Sequence, residues 1–249
     1  MDGLNRVGRI LFGVAMVLFG LLYFFHARGT GPAPGPPWTT ETGVWAWLIG
    51  TGFVVAGVCI VLERWTRMAS VLLGAALLLR VLIVYLPRLF SQVHDPGPWT
   101  SGFEVVALGA AALVIAGRVE ARHSMSWGEL VVVGRMLFAA ALVVFGVQHF
   151  MYAKFVATLV PAWIPGHLFW AYFVGVAFIA AALSIATKVQ GRAGAALLGL
   201  MFLLWVVMLH APRVAAARHD GNEWTSALVA LAMSGGAFVL AGSMRHVDH

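Results

Sequence analysis

Three histidines stand where apolar runs meet loops: His149 ends one run, His167 opens the next, and His210 ends the one after that. An imidazole can accept a hydrogen bond at one ring nitrogen while donating at the other, so histidines grouped at one depth suit the oxygen atoms of a bound ligand. Arg213, three residues beyond His210, would add positive charge beside them. In this reading His149 and His210 bond the ligand's oxygens and Arg213 polarises it. His167 completes the set, and Trp170 and Trp205 line the pocket as aromatic walls. Two histidines on neighbouring helices could equally coordinate a metal or haem, but with no HExxH motif and no HxxxH pair no metal site is assigned. Catalytic residues are left unassigned.

A second polar set lies inside apolar runs. Arg80 and Glu104 fall about six and five residues short of the ends of their runs, which at 1.5 Å per residue places both roughly 7–9 Å inside the same face. Charges at that depth are costly and normally pair or line a cavity. The expectation is an ion pair between Arg80 and Glu104 with a structural duty.

These residues are carried by long apolar runs. Hydrophobic residues make up 61% of the 249 and charged residues 10%. Eight runs, near 6–26, 44–62, 68–86, 100–117, 131–150, 168–186, 192–210 and 224–242, have the roughly 17–20 residues needed to cross a hydrocarbon core about 30 Å thick. The fold class expected is all-α, a polytopic membrane protein of eight transmembrane helices. The lone Cys59 excludes an intrachain disulfide. There is no P-loop, no GxGxxG and no GxSxG elbow, which argues against ATP-driven work, a Rossmann module and serine hydrolysis.

The net charge of +6 reports topology here, not an affinity for nucleic acid. With a cytoplasmic N-terminus, the inside segments hold Arg6, Arg9, Arg64, Arg67, Arg118, Arg122, Arg135, Lys188, Arg192 and Arg245. The outside segments hold only Arg28, Arg88, Lys154, Arg213 and Arg218. The excess of basic residues inside predicts that both termini are cytoplasmic. The proline-rich 31–37 stretch reads as an extended outer loop, and Trp38, Trp99, Trp163 and Trp224 as anchors at the outer span ends.

The chain also repeats itself. Residues 72–101 and 197–226 are identical at 13 of 30 positions with a constant offset of 125, and Gly8, Arg9 and Phe12 match Gly134, Arg135 and Phe138 at an offset of 126. Such a long period indicates a tandem duplication of a four-helix unit, 1–125 and 126–249. Four spans per unit give both copies the same orientation, a parallel repeat. Arg80 and Glu104 are replaced by Trp205 and Val229, both charges together, as an ion pair predicts. Tyr23 and Tyr85 stand opposite His149 and His210; tyrosine is a poor divalent-metal ligand at neutral pH, so the first copy is not a duplicate metal site. Pro87 with Arg88 and Pro212 with Arg213 read as stop signals after the third and seventh spans. Thr100 or Ser101 and Thr225 or Ser226 are N-cap candidates for the spans that follow.

The entry Gly8, Arg9, Ile10, Leu11, Phe12 with Phe19-Gly20, its echo Gly134, Arg135, Met136, Leu137, Phe138 with Phe145-Gly146, and the closing Pro-Arg of each third span resemble the DoxX-like family of membrane proteins. The resemblance covers essentially the whole chain as two fused copies. It implies a four-helix unit tied to quinone-linked redox systems, likened to a subunit of a terminal quinol oxidase or of a thiosulfate–quinone oxidoreductase. The function expected is therefore a quinone- or lipid-like ligand-binding subunit of a membrane redox system. It would sit in a bacterial-type inner membrane with the bilayer and a redox protein as partners. The alternative is a non-enzymatic membrane scaffold or small-molecule carrier.

Overall fold

The structure, a computed structural model, describes residues 3–29, 31, 43–118 and 125–244. The residues 32–37, Trp38, Arg122 and Arg245 used in the sequence reading lie outside the described residues. Among the described residues, eight helices are long and apolar enough to cross a membrane, and there is no strand. They are α1 (Gly3–Ala27), α2 (Val44–Val61), α3 (Thr66–Ser91), α4 (Pro96–Arg118), α5 (Met125–Met151), α7 (His167–Thr187), α8 (Gly191–Ala216) and α9 (Gly221–Ser243), with the short α6 (Ala153–Leu159) after α5. The chain is a multi-pass membrane protein. The connections 92–95, 152–166 and 217–220 lie at one end of the bundle, called here the loop-rich end.

The helices form a ring in the order α1, α2, α3, α4, α5, α7, α8, α9, closed by α9 on α1, while α4 and α9 also touch across its middle. Neighbours therefore cross the 125/126 boundary twice, at α4–α5 and at α9–α1. Lipid tails are as apolar as leucine, so helices associate through close backbone approach, which favours small residues. The central pair shows this. α4 carries Gly109, Ala110, Ala111 and Ala112, α9 carries Ser234, Gly235, Gly236 and Ala237, and both helices are buried along most of their length, unlike the other six. A Cβ on Gly8 of α1 would lie 2.5 Å from the Gly235 carbonyl oxygen of α9, and one on Gly134 of α5 would lie 2.5 Å from the Ala110 carbonyl oxygen of α4. Only glycine fits at either crossing.

Local geometry recurs at the sequence offset of 125. Glu63 and Lys188 adopt left-handed backbone, as do Trp65 and Gln190, each pair at the start of the third helix of a half. The Trp99 indole donates to the Val93 carbonyl at 3.1 Å, and the Trp224 indole to the Arg218 carbonyl at 2.9 Å. These two tryptophans thus staple the turn before α4 and α9 and spend their N–H groups inside the protein. Trp163 is exposed.

Two boundaries differ from the sequence expectation. Pro87 and Pro212 do not stop their helices, which continue to Ser91 and Ala216. Each proline follows a π-helical turn, Val81–Tyr85 and Val206–His210. The wider turn shifts the hydrogen-bond register and so takes up the missing donor and the ring clash that proline brings. Likewise α4 and α9 begin about four residues before the threonines and serines expected to cap them. Asp95 Oδ1 accepts from the Gly97 N–H at 2.9 Å and Asp220 Oδ1 from the Asn222 N–H at 2.8 Å, so aspartates cap both starts.

At the opposite end Arg9, buried in the bundle, donates to the Ile60 carbonyl at 2.5 Å, lies 3.3 Å from the Val61 carbonyl and pairs with Glu63. It satisfies the last carbonyls of α2, which have no partner within the helix.

Candidate functional site

A cavity of about 650 Å³ lies between α4, α5, α7, α8 and α9 near the loop-rich end, with α6 along its rim. Its size is in the ordinary range for small-molecule sites. Phe145, Phe178, Phe202 and Trp205 form an aromatic wall; Phe202 and Trp205 meet edge-on with centroids 5.3 Å apart. Glu104, His149, Gln148, Tyr152, Thr100 and Ser101 supply the polar side.

His149 is held on two sides. Its Nδ1 lies 2.8 Å from the Phe145 carbonyl oxygen, an acceptor only, which assigns the proton to Nδ1. Its ring meets Phe178 edge-on at 5.1 Å. The neutral ring therefore keeps its lone pair on Nε2, the nitrogen left for a ligand. Gln148, one residue before, ties α5 to the start of α4. Its Oε1 accepts from Thr100 Oγ1 at 3.1 Å and its Nε2 donates to the Pro96 carbonyl at 3.2 Å. Glu104 brings a half-buried carboxyl group to the same cavity from α4.

Of the residues singled out in the sequence, His149, Trp205 and Glu104 meet in this cavity, whereas His167, His210, Arg213 and Trp170 are not among its lining. Arg213 stands behind the rim, donating to the carbonyl of Leu159 at 3.3 Å, and Leu159 does line the cavity. His210 occupies the last position of its π turn next to Arg213, with its Nδ1 buried and without a hydrogen-bond partner. Trp170 is exposed and donates to the Pro165 carbonyl at 3.1 Å. His167 is the first residue of α7. Arg80 and Glu104 line different cavities. Among the described residues no group of three His, Cys, Asp or Glu side chains could hold a metal ion.

The second cavity, also about 650 Å³, lies between α1, α2 and α3. Tyr23, Phe53, Leu77 and Arg80 line it; the residues at the matching positions of the other half, His149, Phe178, Phe202 and Trp205, line the first. The phenylalanine pairs behind them also correspond, with Phe19–Phe53 and Phe145–Phe178 both 5.9 Å between centroids. Phe178, Phe202, Thr100 and Ser101 were missed as site residues in the sequence. The offset that pairs them with the other half was the available signal for the two aromatics.

Residues 138–238 match the model of a domain of unknown function (DUF8561). The matched stretch runs from within α5 to within α9. No curated protein and no solved structure matches the chain.

Proposed function

We propose that the protein is a ligand-binding membrane subunit whose α4/α5/α7/α8/α9 cavity takes the ring of a quinone or a similar lipid-like molecule. The single observation that carries the reading is that His149 and Glu104 line one aromatic-walled cavity within the bundle. A hydroxyl on a flat apolar ring, as in the reduced quinol, needs an acceptor that water would otherwise supply, and the His149 Nε2 lone pair offers it with the ring orientation fixed by Phe145 and Phe178. Glu104 would serve a second oxygen and can hold or release a proton there. Phe178, Phe202 and Trp205 would stack on the ring's faces and edges. A bound quinone would supply two-electron, two-proton chemistry, with electrons passing to or from a redox partner protein. The residues of this chain bind, orient and exchange protons.

The reading includes the architecture behind it. The recurrence of turns, caps and π segments at an offset of 125, and of cavity positions at 125 or 126, supports a tandem parallel duplication of a DoxX-like four-helix unit. The membrane would be a bacterial-type inner membrane with both termini cytoplasmic.

Equilibrium binding of a short-chain quinol, kept reduced, to the purified protein in detergent tests this function. Loss of one neutral hydrogen bond costs about 0.5–1.5 kcal/mol, so His149→Ala and Glu104→Leu, which removes both donor and acceptor, should each raise Kd about two- to tenfold. Unchanged affinity in both variants would leave the non-enzymatic scaffold or carrier as the better reading.

A further inference from the structure

The two halves keep one arginine at the end away from the loops and give it opposite neighbours. Arg9 in α1 donates to the Ile60 carbonyl near the end of α2 and pairs with Glu63 just beyond it. The matching positions of the other half, at offsets of 126 and 125, are Arg135 in α5 and Lys188 just beyond α7. The guanidinium is retained and the carboxylate has become an ammonium.

The backbone that carries them is alike in both halves. A Cβ on Gly20 would lie 2.5 Å from the Gly50 carbonyl oxygen where α1 crosses α2, and one on Gly146 would lie 3.1 Å from the Gly175 carbonyl oxygen where α5 crosses α7. Arg9 and Arg135 each stand 11 residues before that crossing. Eleven residues are about three turns, so each arginine lies on the face that meets the neighbouring helix, roughly 16 Å from the crossing. Glu63 and Lys188 each stand 13 residues after it, roughly 20 Å away toward the same end, and both hold left-handed backbone. Arg135 is thus placed toward Lys188 as Arg9 is toward Glu63.

The second pair has nothing to hold. Neither the Arg135 guanidinium nor the Lys188 ammonium hydrogen-bonds or pairs with a described residue, and the Arg135 Nε is buried without a partner. Glu129, earlier on α5, is exposed and pairs with neither. Arg192 of α8 is turned instead to the Ala241 and Met244 carbonyls of the α9 end, 3.5 Å from each. A buried donor without an acceptor is costly, and two neighbouring cations repel. An anion in the place that Glu63 fills in the other half removes both costs. Phosphate suits the pair: a guanidinium grips two of its oxygens and an ammonium meets a third as a point charge. Lys188 lies in the short connection between two spans, and basic pockets between span ends take acidic lipid headgroups.

We propose that Arg135 and Lys188 form a binding site for the phosphate of an acidic phospholipid, at the opposite end of α5 and α7 from the aromatic-walled cavity. The site is independent of the quinone reading, which rests on that cavity.

The full-length protein, stripped of lipid in mild detergent, is titrated with phosphatidylglycerol or phosphatidylcholine at matched mole fractions in the micelle, and bound lipid is counted by native mass spectrometry. The first phosphatidylglycerol should bind at about tenfold lower mole fraction than phosphatidylcholine, the value of one charge-assisted bond. Arg135→Gln and Lys188→Glu should each erase that preference. Lys188→Glu also guards against misfolding, because it supplies the missing carboxylate from within: the lipid-free variant should resist unfolding by sodium dodecyl sulfate at least as well as wild type. Inorganic phosphate at millimolar concentration, the soluble source of the same group, should not displace the lipid. An internal carboxylate on Arg135 from Glu120 or Asp248, which lie outside the described residues, would leave the wild type with no preference for the acidic lipid. That result, a preference that survives Lys188→Glu, a less stable Lys188→Glu protein, or displacement by inorganic phosphate would each overturn the proposal.

Discussion

Glycine to alanine should have opposite signs at two glycines of this protein. In a helix that nothing crowds, the change stabilises by about 0.5–1 kcal/mol, because alanine loses less backbone freedom on folding. Gly52 is such a position, with open space around its missing Cβ. Gly134 is not. A Cβ there would lie 2.5 Å from the Ala110 carbonyl oxygen and 2.7 Å from Val114 Cγ2, nearly an ångström short of the 3.4 Å at which ordinary contact begins. The obstacle is backbone, so α5 must retreat from α4, and overpacking of this kind costs about 1–3 kcal/mol. Net of the entropic gain, Gly134→Ala should lower stability by about 0.5–2 kcal/mol. Gly8→Ala, at the matching α1–α9 crossing, should do the same. Reversible unfolding by sodium dodecyl sulfate in mixed micelles, followed by tryptophan fluorescence, measures all three variants on one scale. A Gly134→Ala protein at least as stable as wild type, or a Gly52→Ala protein as damaged as Gly134→Ala, would refute the packing argument.

Gln148→Ala removes both bonds that tie α5 to the start of α4 and should cost about 1–2 kcal/mol in the same unfolding assay, with Gln148→Glu recovering only the Thr100 contact. Arg9→Ala strips the terminal carbonyls of α2 of a buried charged donor and should cost about 1.5–3 kcal/mol. Glu63→Ala should stay within about 1 kcal/mol of wild type, since the Glu63 side chain is half exposed. Reporter fusions at each terminus should both be active in the cytoplasm; activity on opposite sides would contradict an even number of spans.

The eight spans were legible because membrane helices announce themselves in uninterrupted apolar length, and the offset of 125 was legible because His-Asp and Trp-Thr-Ser recur intact. The π turns were not. Pro87 and Pro212 look like stops from sequence, and whether a helix ends at proline or widens by a turn depends on what the freed carbonyls meet. The caps were misplaced for a related reason: Asp95 and Asp220 lie just outside the apolar runs, and the runs do not show where a polar first turn begins. The ring order brings α5 against α4, so Glu104 shares a cavity with His149 from the other half, a neighbourhood that no pattern within either half encodes.

Organic extraction of the protein purified in mild detergent, with mass spectrometry for quinones, reads whether the cavity between α4, α5, α7, α8 and α9 is occupied. Near-stoichiometric quinone is expected in the wild type, with its loss in His149→Ala combined with Glu104→Leu while the folded protein survives. Quinone at the level of the micelle background in the wild type, or unchanged in the double variant, would contradict the quinone reading.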